Sequence, residues 1–202
     1  MNSLFAPLAE RYRPTGWADV VGQPKAVAML QAKAERGQLT GRAYWLSGQS
    51  GTGKTTIARL IAGEVASEWD VDEVDAQSLT VAQLRSLEAS LSLRGLSDKG
   101  GRAIIINEAH GLRRDVIRQL LVTLERIPSH VVWVFTTTCD GQESLFEDYD
   151  DASPLLSRCL RVELARRDLA RPFAEREVEW AAGGRGASSF GCRRARSPSR
   201  RR

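Results

Sequence analysis

The chain has 202 residues, 42% of them apolar and 27% charged, with a net charge of +4; that is enough for one α/β domain with a sizeable core. No apolar run approaches a membrane span, and the N-terminus lacks the basic and apolar regions of a signal peptide, so the expectation is a cytoplasmic protein with no membrane partner. The cysteines, Cys139, Cys159 and Cys192, are scattered and make no Cys-x-x-Cys pair, which argues against a zinc set or a disulfide framework.

In chain order, residues 12–22 read as an extended segment broken by Pro14 and Gly16. Pro24 stands where a helix can start, and residues 25–36 look helical with Val27, Leu30 and Ala34 on one side. The apolar run 43–47 suits a buried strand, and residues 56–62 a helix. Residues 71–75 read as a short strand. Residues 80–93 read as a helix through Leu84, Leu87 and Leu91. The continuous apolar run 102–106 predicts a strand buried on both faces. Residues 112–127 form a clear amphipathic helix, closed by Pro128. Residues 130–135 predict a further buried strand, an acidic stretch fills 140–151, and an apolar segment spans 155–164. Strands alternating with helices imply a parallel sheet covered on both faces.

Residues 183–202 hold seven arginines and no acid; without them 22 basic residues face 25 acidic ones. The folded part is therefore slightly acidic, and the basicity lies in a Gly/Ser/Arg tail expected to be disordered. That tail could hold nucleic acid through phosphates. Phe190 is its one aromatic, too few to interleave its arginines as a stacking surface needs, so an uninformative extension is the plainer reading.

The strongest motif is Gly48-Gln49-Ser50-Gly51-Thr52-Gly53-Lys54-Thr55, followed by Thr56. It matches the phosphate-binding loop G-x-x-x-x-G-K-[ST] between a strand and a helix. Glycines let the backbone wrap a phosphate, and the helix N-terminus adds its dipole. Lys54 is the expected cation for the β/γ-phosphates, and Thr55 the hydroxyl for Mg²⁺. A second strand should end in acids that hold the metal and polarise water. Residues 104–110 fit that place, with Glu108 as the water-activating carboxylate. The position before it, normally an aspartate, is Asn107, which can accept from a metal-bound water but brings no charge. Its presence leaves hydrolysis open. An ordinary turn residue is the expectation for His110.

With Leu8–Pro14, Val20-Val21-Gly22-Gln23, the phosphate loop, Asn107-Glu108-Ala109-His110 and Ser157-Arg158-Cys159 all present, residues 8–165 resemble the AAA+ ATPase core of sliding-clamp loaders. The family includes the bacterial DNA polymerase III gamma/tau subunit and the small subunits of replication factor C. The resemblance implies a P-loop NTPase fold, three-layer α/β/α with a mostly parallel five-stranded sheet. It implies ATP and Mg²⁺ as ligands, with Thr55 and Asn107 on the metal side. Tyr12, Val20 and Val21 would border the adenine; taken alone they pass as core residues. Arg158 would be an arginine finger acting on a neighbouring subunit's ATP. Thr138, then Thr137, would read the γ-phosphate, although three threonines ending a strand also reflect β-propensity. Partners would be other clamp-loader subunits in a homo- or hetero-oligomer, a sliding clamp and primer–template DNA. Arg94, Arg113, Arg114 and Arg118 could face DNA phosphates, or simply form a solvated face.

The resemblance has departures. The four-cysteine zinc module of the gamma/tau subunit is absent, so no zinc is expected. The domain expectation is an ATPase core over 1–165, a partial lid-like helix over 166–182, with the lid domain otherwise largely missing, and the tail over 183–202. The leading reading is a clamp-loader-like, ATP-hydrolysing subunit in DNA replication; the alternative is a nucleotide-binding structural subunit with little turnover.

Overall fold

Five strands alternate with helices in the computed structural model, which describes residues 13–138 and 152–165. They are β1 (Arg42–Gly48), β2 (Val71–Asp75), β3 (Arg102–Asn107), β4 (Val131–Thr137) and β5 (Cys159–Leu164). The helices are α1 (Pro24–Glu35), α2 (Lys54–Val65), α3 (Val81–Ser90), α4 (Arg114–Leu124) and the short α5 (Ala152–Ser157). The strand order is β2-β3-β4-β1-β5, and every pairing is parallel. The expected mostly parallel sheet is thus wholly parallel.

The period-2 alternation of the strands builds the three layers. Tyr44, Leu46, Ala103, Ile105, Val132, Val134, Val162 and Leu164 pack with the apolar stripes of α1 and α2. Trp45, Ile104, Ile106, Trp133 and Phe135 point the other way, against α3, α4 and α5. There the Trp45 and Phe135 rings stack at 5.5 Å, and Trp133 and Phe135 at 6.3 Å. Both faces of the sheet are therefore apolar, as a doubly covered sheet requires. Each fully buried Ile or Leu stabilises such a layer by ~1.5–3 kcal/mol.

Helix boundaries follow local chemistry. Thr80 caps α3 through its hydroxyl, and the Gln83 side chain returns to the Thr80 N–H, a reciprocal capping box. Pro24 opens α1 as its first residue. That helix buries the expected Leu30 and packs the expected Ala34, while Ala26 takes the inward place expected of Val27 and Met29 lies alongside. The apolar segment expected over 155–164 divides in two: α5 ends at Ser157, Arg158 makes the turn, and β5 begins at Cys159. Burial pushes the Cys159 thiol up to about 12, and its sulfur donates to the Leu155 carbonyl at 3.3 Å. This cysteine is a packing residue rather than a nucleophile.

The loop before β3 is anchored by Asp70, which is 4% exposed. Its carboxylate accepts from the Ser67 hydroxyl at 2.8 Å and from the Leu96 N–H at 3.2 Å. The Ser67 bond first, and the Leu96 amide with it, hold its pKa below the ordinary 3.8 against the opposing effect of burial. The folded carboxyl titrates lower than the unfolded one, so its contribution is full above the unfolded value and fades as pH falls through the folded value. Asp70→Asn should therefore lower Tm by roughly 2–5 °C at pH 7, with the gap to the parent closing below about pH 4. Thermal melts across that range check it; a gap that widens on acidification overturns the assignment.

The expectations for Tyr12, for the acidic stretch 140–151, for the lid-like segment 166–182 and for the tail 183–202 lie outside the described residues, as do Cys139 and Cys192. Among the described residues no helix is long and apolar enough to cross a membrane.

Candidate functional site

The C-terminal ends of β1, β3 and β4 carry the candidate residues. At the end of β1 the chain turns through Gly48–Gly53 into α2. Gly48 is forced by close approach: a Cβ there would lie 2.7 Å from the Leu164 carbonyl oxygen and 2.9 Å from Thr52 Oγ1. Gly53 has φ 92°, a left-handed conformation that admits glycine without strain. It sets the loop immediately before α2, whose first-turn N–H groups have no intrahelical acceptor. An anion fits that concavity for both geometric and dipolar reasons.

Lys54 begins α2 and is 7% exposed. Its Nζ folds back over the loop and donates to the carbonyls of Gly48 and Gln49, each at 3.0 Å. These are neutral acceptors, weaker partners for an ammonium than a phosphate oxygen would be. Thr52, 3% exposed, closes the loop on itself by donating to the Gln49 carbonyl at 2.8 Å. Thr55 sits at the second position of α2, and Thr56 accepts from Arg13 Nη1 at 3.4 Å. The segment before α1 is thereby brought to the loop. Val20 and Val21 are half-buried there, Val20 packing on the α1–α2 core.

Gln23 ties these pieces together, although it drew attention in the sequence only as part of a motif. It is 5% exposed. Its amide nitrogen donates to the carbonyls of Thr52, at 3.3 Å, and Ala165, at 2.7 Å, and its oxygen accepts the Ala165 N–H at 3.1 Å. One side chain thus joins the phosphate loop to the residue following β5. A buried amide must find such partners, and a lone Gln before a proline gives no periodic signal of that.

Glu108 follows β3 in a left-handed conformation, φ 52° and ψ 51°, the only non-glycine residue with positive φ among those described. Such a backbone costs ~1–2 kcal/mol and concentrates at functional turns. Its N–H donates to Thr136 Oγ1 at 3.4 Å. Its Oε2 has no hydrogen-bond partner and lies 3.4 Å from His110 Nδ1. His110 occupies the expected turn, and its Nδ1 also lies 3.3 Å from Thr137 Oγ1, so it bridges the acid and the strand end.

Asn107 donates through Nδ2 to Glu73 Oε1 at 2.7 Å and accepts from Thr136 Oγ1 at 3.0 Å. Glu73, on β2, also holds Arg59 of α2 at 2.9 Å. Of the three threonines, Thr136 touches the Asn107–Glu108 turn, Thr137 faces His110, and Thr138 stands just past β4. Neither Thr136 nor Glu73 was given a role by the sequence, where one was part of a threonine-rich strand end and the other of the short strand 71–75.

The finger candidate Arg158 lies at the turn between α5 and β5. Its guanidinium pairs with Glu125 Oε1 at 2.5 Å and donates to the Pro154 carbonyl at 3.0 Å. Of the four arginines considered for DNA, Arg113, Arg114 and Arg118 lie together, exposed, at the start of α4, and Arg94 lies apart from them. Arg94 lines a cavity with Lys99 and His130 at the N-terminal ends of β1, β3 and β4. Arg113 donates to the Leu79 carbonyl beyond the C-terminal end of β2, and Arg114 and Arg118 are exposed on α4.

Mg²⁺ and a nucleotide triphosphate fit the donor set on chemical grounds. The loop offers a lysine held by neutral carbonyls, a helix N-terminus and a threonine hydroxyl, and the next acid has an oxygen with no hydrogen-bond partner, 3.4 Å from His110. Among the described residues no cluster of three or more His, Cys, Asp and Glu could hold a metal by itself. A cation here would depend on phosphate oxygens and water for its ligands.

Comparison with known proteins agrees with this geometry. Residues 44–166 match the family described as ATPase family associated with various cellular activities (AAA). The DNA polymerase III tau subunit of Salmonella typhimurium is 32% identical over 188 residues, covering 82% of this chain and 28% of the relative. The gamma subunit of Buchnera aphidicola is 30% identical over 181 residues, covering 78% of this chain and 47% of that one. The chain thus spans between about a quarter and a half of the length of these relatives. Among solved structures, the RuvB Holliday junction branch migration motor of Thermotoga maritima superposes with a TM-score of 0.65 at 23% identity, over 86% of this chain and 55% of that one. A DNA polymerase III gamma subunit-related protein of Thermotoga maritima gives 0.58 at 15% identity, over 76% and 52%. The last two establish the fold alone. Taken with the phosphate loop and the strained acidic turn beside it, the family match means that this chain belongs to the AAA ATPases and is similar to DNA polymerase III gamma and tau subunits.

Proposed function

We propose that the chain binds Mg·ATP at the 48–56 loop and hydrolyses it as a clamp-loader-like subunit in DNA replication. The observation that carries this reading is the Lys54 amino group folded onto the loop's own carbonyls beside the N-terminus of α2. Incoming phosphate oxygens would take over Lys54, and the Thr55 hydroxyl would help hold the Mg²⁺. The metal, when bound, neutralises charge on the transferring phosphoryl group. Glu108 would orient the attacking water through its carboxylate, and Thr138, with Thr137 beside it, would sense the γ-phosphate. Val20 and Val21, with Tyr12, would border the base. Arg158 would act on the ATP of an adjacent subunit, which makes other clamp-loader subunits, a sliding clamp and primer–template DNA the expected partners.

Asn107 favours a second reading, a nucleotide-binding structural subunit with little turnover, because both ends of its amide are already engaged. One experiment separates the two. Mg·ATP binding and phosphate release are measured on the purified chain, with and without primed DNA and a sliding clamp. Binding with stimulated release supports the motor; binding without release supports the static subunit; absence of binding refutes both.

A further inference from the structure

We propose that Glu73 is a positioning residue whose carboxylate makes asparagine, rather than aspartate, the residue this site requires at position 107. The proposal deepens the nucleotide-site reading and rests on it for its turnover measurement alone.

The argument follows the direction of the hydrogen bonds at the ends of β2, β3 and β4. Arg59 Nε donates to Glu73 Oε2 at 2.9 Å. Asn107 Nδ2 donates to Glu73 Oε1 at 2.7 Å. Thr136 Oγ1 donates to Asn107 Oδ1 at 3.0 Å, and the Glu108 N–H donates to Thr136 Oγ1 at 3.4 Å. Every donor along this line points toward Glu73. An ionised carboxylate only accepts, so Glu73 is the terminus and fixes the sense of each bond before it. Residue 107 must therefore donate on one side and accept on the other. A primary amide does both, whereas an ionised aspartate accepts only.

Two consequences follow. The amide of Asn107 faces Glu73 with its nitrogen, because the reverse would set oxygen against oxygen at 2.7 Å. And the Thr136 hydroxyl, committed as a donor to Asn107, presents a lone pair to the Glu108 amide. That bond closes on the one described non-glycine residue with a left-handed backbone. The row thus braces the strained turn that carries the Glu108 carboxylate, and its terminus Glu73 is held by Arg59 of α2, one helical turn after Thr55. Glu73 reaches the reacting region only through Asn107 and Thr136, so it is not itself a catalytic group. Asn107 is on this account a matched part of the network and not a degraded aspartate.

The test is a polarity swap. Asn107→Asp sets two carboxylates in contact and removes a donor. Asn107→Asp with Glu73→Gln restores one donor and one acceptor across the same gap, reversed, and the introduced carboxylate can still accept from Thr136. Melts are run without nucleotide and with EDTA, at pH 7.5. Asn107→Asp should lower Tm by about 3–8 °C. Glu73→Gln alone should stay within about 2 °C of the parent, since it loses an exposed ion pair and keeps an acceptor. The double variant should return to within about 2 °C of Glu73→Gln. In turnover, Asn107→Asp should lower kcat by about tenfold with KM unchanged, and the double variant should recover it.

An Asn107→Asp chain as stable as the parent overturns the proposal, and so does a double variant no better than Asn107→Asp. Should Asn107→Asp fail to fold, a folded double variant supports the pairing, and a double variant that also fails overturns it. If no variant, the parent included, hydrolyses ATP while the melting pattern is as expected, the ATPase reading has failed and the Glu73–Asn107 match stands.

Discussion

Replacing Lys54 with methionine should reduce Mg·ATP affinity and turnover on the order of 10²–10³-fold while leaving Tm within about 3 °C of the parent. The two halves of that expectation come from the same geometry. In the ligand-free loop the lysine is 7% exposed, and its Nζ bonds to the carbonyls of Gly48 and Gln49 at 3.0 Å. Methionine retains the apolar stem that fills the space under the loop. It gives up two charge-assisted bonds, but it also relieves the desolvation of a nearly buried cation, and these effects oppose each other. The bound state has no such compensation. There the ammonium would face triphosphate oxygens, and nothing else in the loop except backbone amides and the dipole of α2 would oppose their charge. Isothermal titration with Mg·ATP, beside a melt of the same sample, measures both halves. Affinity retained within about threefold would remove Lys54 from the phosphate site. A Tm loss of about 10 °C or more would mean that the lysine serves the fold.

The sequence reading recovered what depends on periodicity and on rigid motif spacing. The alternation Ile104-Ile105-Ile106 and the run ending in Phe135 place their strands because a doubly covered strand must be apolar on both faces. The glycines of the phosphate loop are equally legible, since positive φ at Gly51 and Gly53 and the crowding at Gly48 all favour glycine. What stayed hidden were contacts of polar side chains with groups distant in sequence. Gln23 meets Ala165 across 142 positions, Asn107 meets Glu73 across 34, and Thr136 meets Asn107 across 29. None of these residues has a hydrophobic period to mark it. Their partners are set by the strand order β2-β3-β4-β1-β5, in which β1 lies between β4 and β5, and no local pattern encodes that order. The division of 155–164 into helix and strand was hidden for a related reason. Its apolar residues suit either period over so short a run, and the pairing of β5 with β1 decides the matter.

Replacing Arg158 with alanine should lower turnover of the assembled protein on the order of 10³-fold or more while leaving nucleotide affinity of the same chain within about threefold. In the isolated chain the guanidinium is held by Glu125 at 2.5 Å and by the Pro154 carbonyl at 3.0 Å, with side-chain exposures of 30% for the arginine and 56% for the glutamate. A pair so open to water contributes ~0–1 kcal/mol, so the substitution should not unfold the chain. The same exposure would let Arg158, acting as a finger, exchange Glu125 for a phosphate oxygen, the stronger partner once charge develops on the transferring group. A mixing experiment tests whether it acts on a neighbour. A chain with Lys54→Met keeps its finger and loses its own phosphate site; a chain with Arg158→Ala keeps the site and loses the finger. If the chain assembles with itself, equal amounts of the two inactive chains should recover part of the parent turnover, because one kind of interface then joins an intact finger to an intact site. Recovery shows action in trans. Two chains that each lose turnover and that co-assemble, yet remain inactive together, show that Arg158 serves its own subunit. An Arg158→Ala chain with undiminished turnover removes it from the reaction altogether.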